Sequence, residues 1–373
     1  MKIYNKEKWE KVKLGEIFEL QMGKTPSRNK ENYWRHGENS WISISDMKNE
    51  EKYICDTKEK ITDLAVEESK IKVIPKDTVI MSFKLSIGKL AITSKDMFTN
   101  EAIMAFFPKD KVEIDNNYLF YSLKKVNWTE GTNKAVKGLT LNKPLIASKE
   151  IFLPNMKIQK EIAKRLDIVM EILKIKRKIL LQLDELSKSI FIEMFGDPIK
   201  NEKKWKLEKM LVVAPIQQSI KISKEMVWLL NLDGIESETG KIIKYEKKLF
   251  KEIEKNSIIS FNEENVLYSK LRPYLNKVVI PEEEGYGTSE LLPLKPDKNK
   301  IKRIFLANLL RTKSFVNYVN NKTIGAKMPR VSTKEIMNFN CIIPPIELQN
   351  SFADRIKMIE KSKVEGRFFR SVA

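Results

Sequence analysis

Histidine and cysteine are nearly missing from this 373-residue chain, which holds one of the first and two of the second. With His36 alone, two-histidine metal sites are excluded, and a Ser/His/Asp triad would depend on that single residue. Its setting, YWRHGENSW (33–41), reads as a solvated turn beside a strand. Cys55 and Cys341 lie far apart with no CxxC pair, which argues against a zinc site and a disulfide framework and makes each a small core residue. Neither GxGxxG nor GxxxxGK[ST] occurs, so no dinucleotide or P-loop cradle is visible, and the Asn-Pro-Pro-aromatic signature of adenine methyltransferases is absent too. Acid pairs such as Glu50-Glu51 before Lys52 are commonplace in a chain that is 32% charged, and they make a poor metal-nuclease signal. No apolar run approaches the length that spans a bilayer. The opening residues MKIYNKEKWEKVKLGEIF carry lysines without an apolar stretch or cleavage site, so the expectation is a cytoplasmic protein with no membrane partner.

Positive charge is what the chain has in excess: 69 Lys and Arg against 50 Asp and Glu give +19 and a pI near 9.5. A polyanion is the natural partner of such a surface, because each phosphate it neutralises releases counterions. The length points to two or three domains.

Comparing the chain with itself shows that it starts over near residue 201. Trp9 is echoed by Trp205, VIMSFK (79–84) by VLYSKL (266–271), and TNEA (99–102) by TSEL (288–291). Lys137, Pro154, Gln159, Ala163 and Arg165 recur as Lys327, Pro344, Gln349, Ala353 and Arg355, all at an offset of 190. Small drifts in the earlier offsets are those of loop insertions between related domains.

Within each repeat the pattern is α+β. WISIS (41–45), DTVIMSF (77–83), KLAIT (89–93) and AIMAFF (102–107) read as short strands of a small sheet. NYLFYSLKKV (117–126) and IFLANLLRTKSFVNYV (304–319) read as amphipathic helices packed on it. From Lys157 to Phe195 there is neither Gly nor Pro, and Pro154 before with Gly196 and Pro198 after predict one long helix of about 58 Å, a spacer between domains. Ile162, Leu166, Val169, Leu173, Leu180, Leu183, Ile190 and Met194 fit heptad a and d positions, interrupted at Lys176 and Ser187. A second stripe, Ile158, Ile172, Ile179 and Leu186, widens the apolar face beyond a two-helix seam, so something else must cover it. A second, shorter helix follows PPIELQ (344–349), with Leu348, Phe352, Ile356 and Ile359 on one side. By the 190 offset Ala373 corresponds to Leu183, which leaves DELSKSIFIEMF (184–195) without a counterpart, and GRFFRSVA (366–373) abandons the heptad.

Two glycine-containing segments nearly free of acids are repeat equivalents: GTNKAVKGLTLNK (131–143) and NNKTIGAKMPRVSTK (320–334). Lys134, Lys137 and Lys143 in one, and Lys322, Lys327 and Arg330 in the other, suit phosphate neutralisation with close backbone approach. SFKLSIGK (82–89) and YSKLRPYLNK (268–277) each join a hydroxyl, cations and a turn, which singles out Ser82, Lys84, Lys89, Ser269, Lys270 and Arg272. Arg272 has the fork for a bidentate contact with guanine, and Tyr274 is expected in the core. QMGKTPSRNKENYW (21–34) adds Lys24, Thr25, Ser27 and Arg28 on a Gly/Pro loop.

Together GKTPSRNKENYW, WISISDM, LYSKLRPYLNKVVI, TSELLPLKP, MPRVSTKEI and the helix end FIEMFGDP resemble the specificity (S) subunits of type I restriction-modification systems over nearly the whole chain. The resemblance implies an α+β fold with two pseudo-repeated target-recognition domains of small mixed or antiparallel sheets (1–154 and 198–344), separated by helices (155–197 and 345–373) that pair antiparallel. It implies double-stranded DNA as ligand, methyltransferase subunits docked on the helices through Ile158, Ile162, Leu166, Val169, Ile172, Leu173, Ile179, Leu180, Leu183, Leu186 and Ile190, and restriction subunits joined through those. No chemistry and no cofactor belong to this chain on that reading; S-adenosylmethionine is expected in the methyltransferase. The rivals are a stand-alone modification enzyme or nuclease, and an RNA-binding adaptor.

Overall fold

The computed structural model describes residues 9–48, 51–130, 141–222, 224–253 and 258–365. They form two units, Met1–Leu173 and Lys174–Ala373, and the division falls inside the long helix Met156–Phe195.

Each unit is clasped where it opens and closes. Strand Glu10–Lys13 pairs antiparallel with Glu150–Leu153 in the first, and Lys206–Lys209 pairs with Asn340–Ile343 in the second. The central strand Val79–Ser82 lies between Leu90–Thr93 and Ile103–Pro108, antiparallel to both. Its counterpart Val266–Ser269 lies between Val278–Val279 and Leu291–Leu294 in the same way. Val79 and Met81 pack into one apolar cluster while Ile80 packs into another on the opposite face. A strand covered on both faces has no reason to alternate, which is why VIMS reads as an unbroken apolar run. In a second sheet Asn39–Ile42 runs antiparallel to Glu59–Ile61 and parallel to Phe98–Thr99. Met226–Leu230 repeats this against Glu246–Leu249 and Gly285–Thr288, with Ile258–Phe261 added on the far side. The first unit reduces that added strand to a single bridge between Ile74 and Met97.

A buried glutamine marks the repeat most directly. Gln159 accepts from the Asp115 N–H (2.8 Å) and donates to the Glu113 and Pro154 carbonyls (3.0 and 2.8 Å). Gln349 accepts from the Lys302 N–H (2.9 Å) and donates to the Lys300 and Pro344 carbonyls (3.0 and 2.9 Å). Each ties the helix that follows its unit's closing strand to the segment entering a sheet-packed helix, Asn116–Lys124 or Arg303–Arg311.

The helix read over 304–319 is two helices, Arg303–Arg311 and Lys313–Asn320. Thr312 breaks it, its hydroxyl capping the second by accepting from the Phe315 N–H. Of the two cysteines only Cys341 is a core residue, its thiol pushed up by burial; Cys55 is exposed, contrary to expectation. Tyr274 is likewise 48% exposed rather than packed away, because it sits in a short 3-10 turn between two left-handed residues, Arg272 and Asn276.

Within the second unit Phe191 and Phe195, one helical turn apart, meet Phe305 (5.4 and 4.7 Å between ring centroids) and Phe352 (5.6 and 5.3 Å). The end of the long helix thereby packs antiparallel on the last helix, Ile346–Glu365, and Lys363 bonds Asp184 at 2.7 Å farther along. Residues 366–373, with Gly366, Phe368 and Phe369, lie outside the described residues. Among the described residues no helix is long and apolar enough to cross a membrane.

Candidate nucleic-acid interface

In the first unit the loop after strand Phe18–Met22 is held by close backbone contact. A Cβ on Gly23 would meet the Thr99 carbonyl at 2.2 Å, so only glycine lets the chain pass. Lys24 then donates its N–H to Thr99 (2.8 Å) and accepts from the Trp41 indole (3.1 Å), while its ammonium bonds the Ser69 carbonyl at 2.7 Å. Thr25 donates its hydroxyl to the Glu101 carboxylate. Arg28 lies 3.8 Å over Trp34 and pairs with Glu59 through both terminal nitrogens, the second at 3.0 Å. The hydrogen bond to Glu59 raises its pKa, aided by the charges of Glu59 and Glu101 and opposed by desolvation. Ser27 is exposed, and its carbonyl accepts from the Trp34 indole at 3.0 Å.

The turn after the central strand corrects two expected contacts. Ser82 and Ser269 are buried, and each hydroxyl braces its own turn: Ser82 bonds the Ser86 carbonyl, and Ser269 the Leu271 carbonyl at 3.0 Å. Lys84 remains partly exposed over Phe83, and Lys89 reaches the Ile44 carbonyl at 3.4 Å. The Leu141 N–H bonds the Phe83 carbonyl at 2.9 Å, which brings exposed Lys143 beside this turn. Lys134 and Lys137 lie outside the described residues.

The second unit stitches the corresponding turn to the other basic loop. Arg272 donates its N–H to Pro329 (2.7 Å), Val331 to Lys270 (3.1 Å), and Arg330 exchanges both backbone bonds with Ile324 at 3.0 Å. Lys270 and Arg330 thus lie beside Glu290, whose carboxylate is 3.1 Å from Arg330 Nε. Desolvation lowers the Lys270 pKa, Arg330 adds to that, and Glu290 opposes it. Arg272 holds a left-handed backbone at φ 48°, and its Nε is enclosed. Lys322 pairs with Glu335 instead of facing outward, whereas Lys327 is exposed. Glu59, Glu101, Glu290, Trp34 and Trp41 complete these clusters and escaped sequence reading. The one signal for two of them is the TNEA and TSEL match itself.

Along the long helix Leu166 packs on the first unit's core, and Leu183 and Ile190 pack on the second's. Ile158, Ile162, Leu173 and Leu180 are half-buried. Val169, Ile172, Ile179 and Leu186 are exposed, Ile172 at 57%. Ile168, Met170, Ile175, Leu181 and Ile192 join that exposed set outside the heptad.

A duplicated α+β chain, with an arginine and glutamate cluster in each half and an apolar helix running between the repeats, defines a class of tandem recognition proteins. Residues 6–185 match the family model for the type I restriction modification DNA specificity domain. The MjaIX specificity subunit of a type I restriction enzyme from Methanocaldococcus jannaschii is 25% identical over 92% of this chain and 85% of its own length. The HindI specificity subunit from Haemophilus influenzae is 27% identical over 40% of this chain and 33% of its own. Among solved structures, the type I restriction-modification S subunit from M. genitalium aligns over 100% of this chain and 94% of its own at a TM-score of 0.59 and 15% identity, a likeness of fold. The chain is thus similar to the specificity subunits of type I restriction enzymes, along its first half by the family model and along most of its length by the MjaIX subunit.

Proposed function

We propose that this chain is the sequence-reading subunit of a type I restriction-modification complex, each repeat unit reading one half of a split site on double-stranded DNA. What carries the reading is the pair of basic turns, one per unit, that follow repeat-equivalent central strands: Lys84 and Lys89 with Lys143 in the first, Lys270 and Arg272 with Arg330 in the second. Lysines with no carboxylate partner among the described residues, such as Lys84, Lys143 and Lys327, supply phosphate contacts that set register; Thr25 in the first unit and Arg330 in the second supply base contacts. We assign target recognition to 1–154 and 198–344 and docking of methyltransferase to the exposed apolar face of the long helix, with restriction subunits joining through the methyltransferase. Such a face stays in water unless a partner covers it. Bond making and S-adenosylmethionine belong to that methyltransferase, and the complex works in the cytoplasm.

The test is to map methylated adenines across the genome with and without this chain. A bipartite motif that disappears with the chain is expected; unchanged methylation overturns the reading. A stand-alone enzyme would instead modify or cut DNA when purified alone with cofactor and metal.

A further inference from the structure

A surface meant only to neutralise phosphates gains nothing from a carboxylate, which repels the backbone it should hold. Yet Glu290 sits in the second basic cluster with its side chain only 23% exposed, 3.1 Å from Arg330 Nε. Its repeat equivalent Glu101, at an offset of 189, occupies the first cluster. The two halves share the acid and differ in what it holds: a threonine hydroxyl in one and a guanidinium in the other. Their partners also come from unrelated places, Thr25 from the loop after the strand Phe18–Met22 and Arg330 from the loop before the helix Thr333–Met337.

The contact to Arg330 is made at Nε. It is an ion pair without the alignment of a hydrogen bond, and no hydrogen bond among the described residues engages either terminal nitrogen, which leaves both for the bidentate pair of bonds that guanine O6 and N7 accept in the major groove. Arg28 shows the contrast, since Glu59 takes both of its terminal nitrogens. Backbone bonds between Arg330 and Ile324, both at 3.0 Å, hold the loop from which the guanidinium extends.

We propose that Glu290 is a positioning residue for specificity: it aims Arg330 at a guanine in the half-site read by the second unit, without touching DNA itself. In the first unit Glu101 aims the Thr25 hydroxyl, so the two halves read different bases. This rests on the DNA-reading role above.

The experiment uses the full chain in complex with its methyltransferase subunits. Duplexes carry the bipartite motif that the wild-type complex methylates, together with its single-base variants. Glu290→Gln keeps the shape and removes the charge. Expected is a roughly tenfold loss of discrimination at one guanine of one half-site, with the other half unchanged and the salt dependence of binding unaltered. Arg330→Lys should relax the same base pair, and the double variant should discriminate no worse than Arg330→Lys alone. Uniform tightening on every duplex would reduce Glu290 to a stray charge and overturn the proposal. So would losses that add in the double variant. Should Glu290→Gln fail to fold, Arg330→Lys decides alone: relaxation at one guanine supports the assignment and its absence overturns it. A wild-type complex with no motif overturns the underlying reading, and this proposal with it.

Discussion

Gln159 and Gln349 each satisfy three backbone groups from a fully buried position. Gln349→Leu keeps most of the volume but strands the Lys302 N–H and the Lys300 carbonyl. We expect a loss of about 1–3 kcal/mol, read as a lowered urea midpoint with an unchanged slope. Glutamine at this spacing was legible as a repeat landmark, although its hydrogen bonds were not, because sequence carries no record of which way an amide points. The same gap explains Ser82 and Ser269: a hydroxyl beside lysines in a turn has the composition of a DNA contact, and only the fold shows it turned inward to its own chain. Glu101 and Glu290 were visible as letters in a repeat and silent as site residues, since the groups they hold arrive from distant loops.

Among the elements, the long helix was legible almost to the residue, because 39 positions without Gly or Pro, bounded by Pro154 and Gly196, admit little else. Its packing was less so. The a and d pattern names Val169 beside Leu166, yet Leu166 reaches the first core while Val169 stays exposed. A helix that leaves one packed unit and enters another has no single seam, and apolar residues outside the heptad become part of the open face. If methyltransferase covers that face, Ile172→Glu together with Ile179→Glu should leave the free chain's stability within about ±0.5 kcal/mol, because exposed positions lose little. The same variant should fail to co-purify with methyltransferase subunits. Normal association would place the docking surface elsewhere.

At the scale of the molecule the duplication extends to the cores: the apolar clusters gather residues from one unit at a time. Cooperative unfolding follows shared packing, so each unit should melt as its own transition. Phe195 offers the means to separate them, being fully buried against Phe305 and Phe352 at the helix end. Phe195→Ala removes an aromatic ring from the second unit's core and leaves a cavity among residues fixed by three surrounding elements, a change that costs about 3–5 kcal/mol. Calorimetry of the variant should show one transition shifted down and the other in place. The unmoved transition should belong to the first unit, whose cluster around Leu119, Phe106 and Ile151 contains no residue from beyond the long helix. A single transition that shifts as a whole would mean that the helix transmits packing between the units and that the two readers fold as one body.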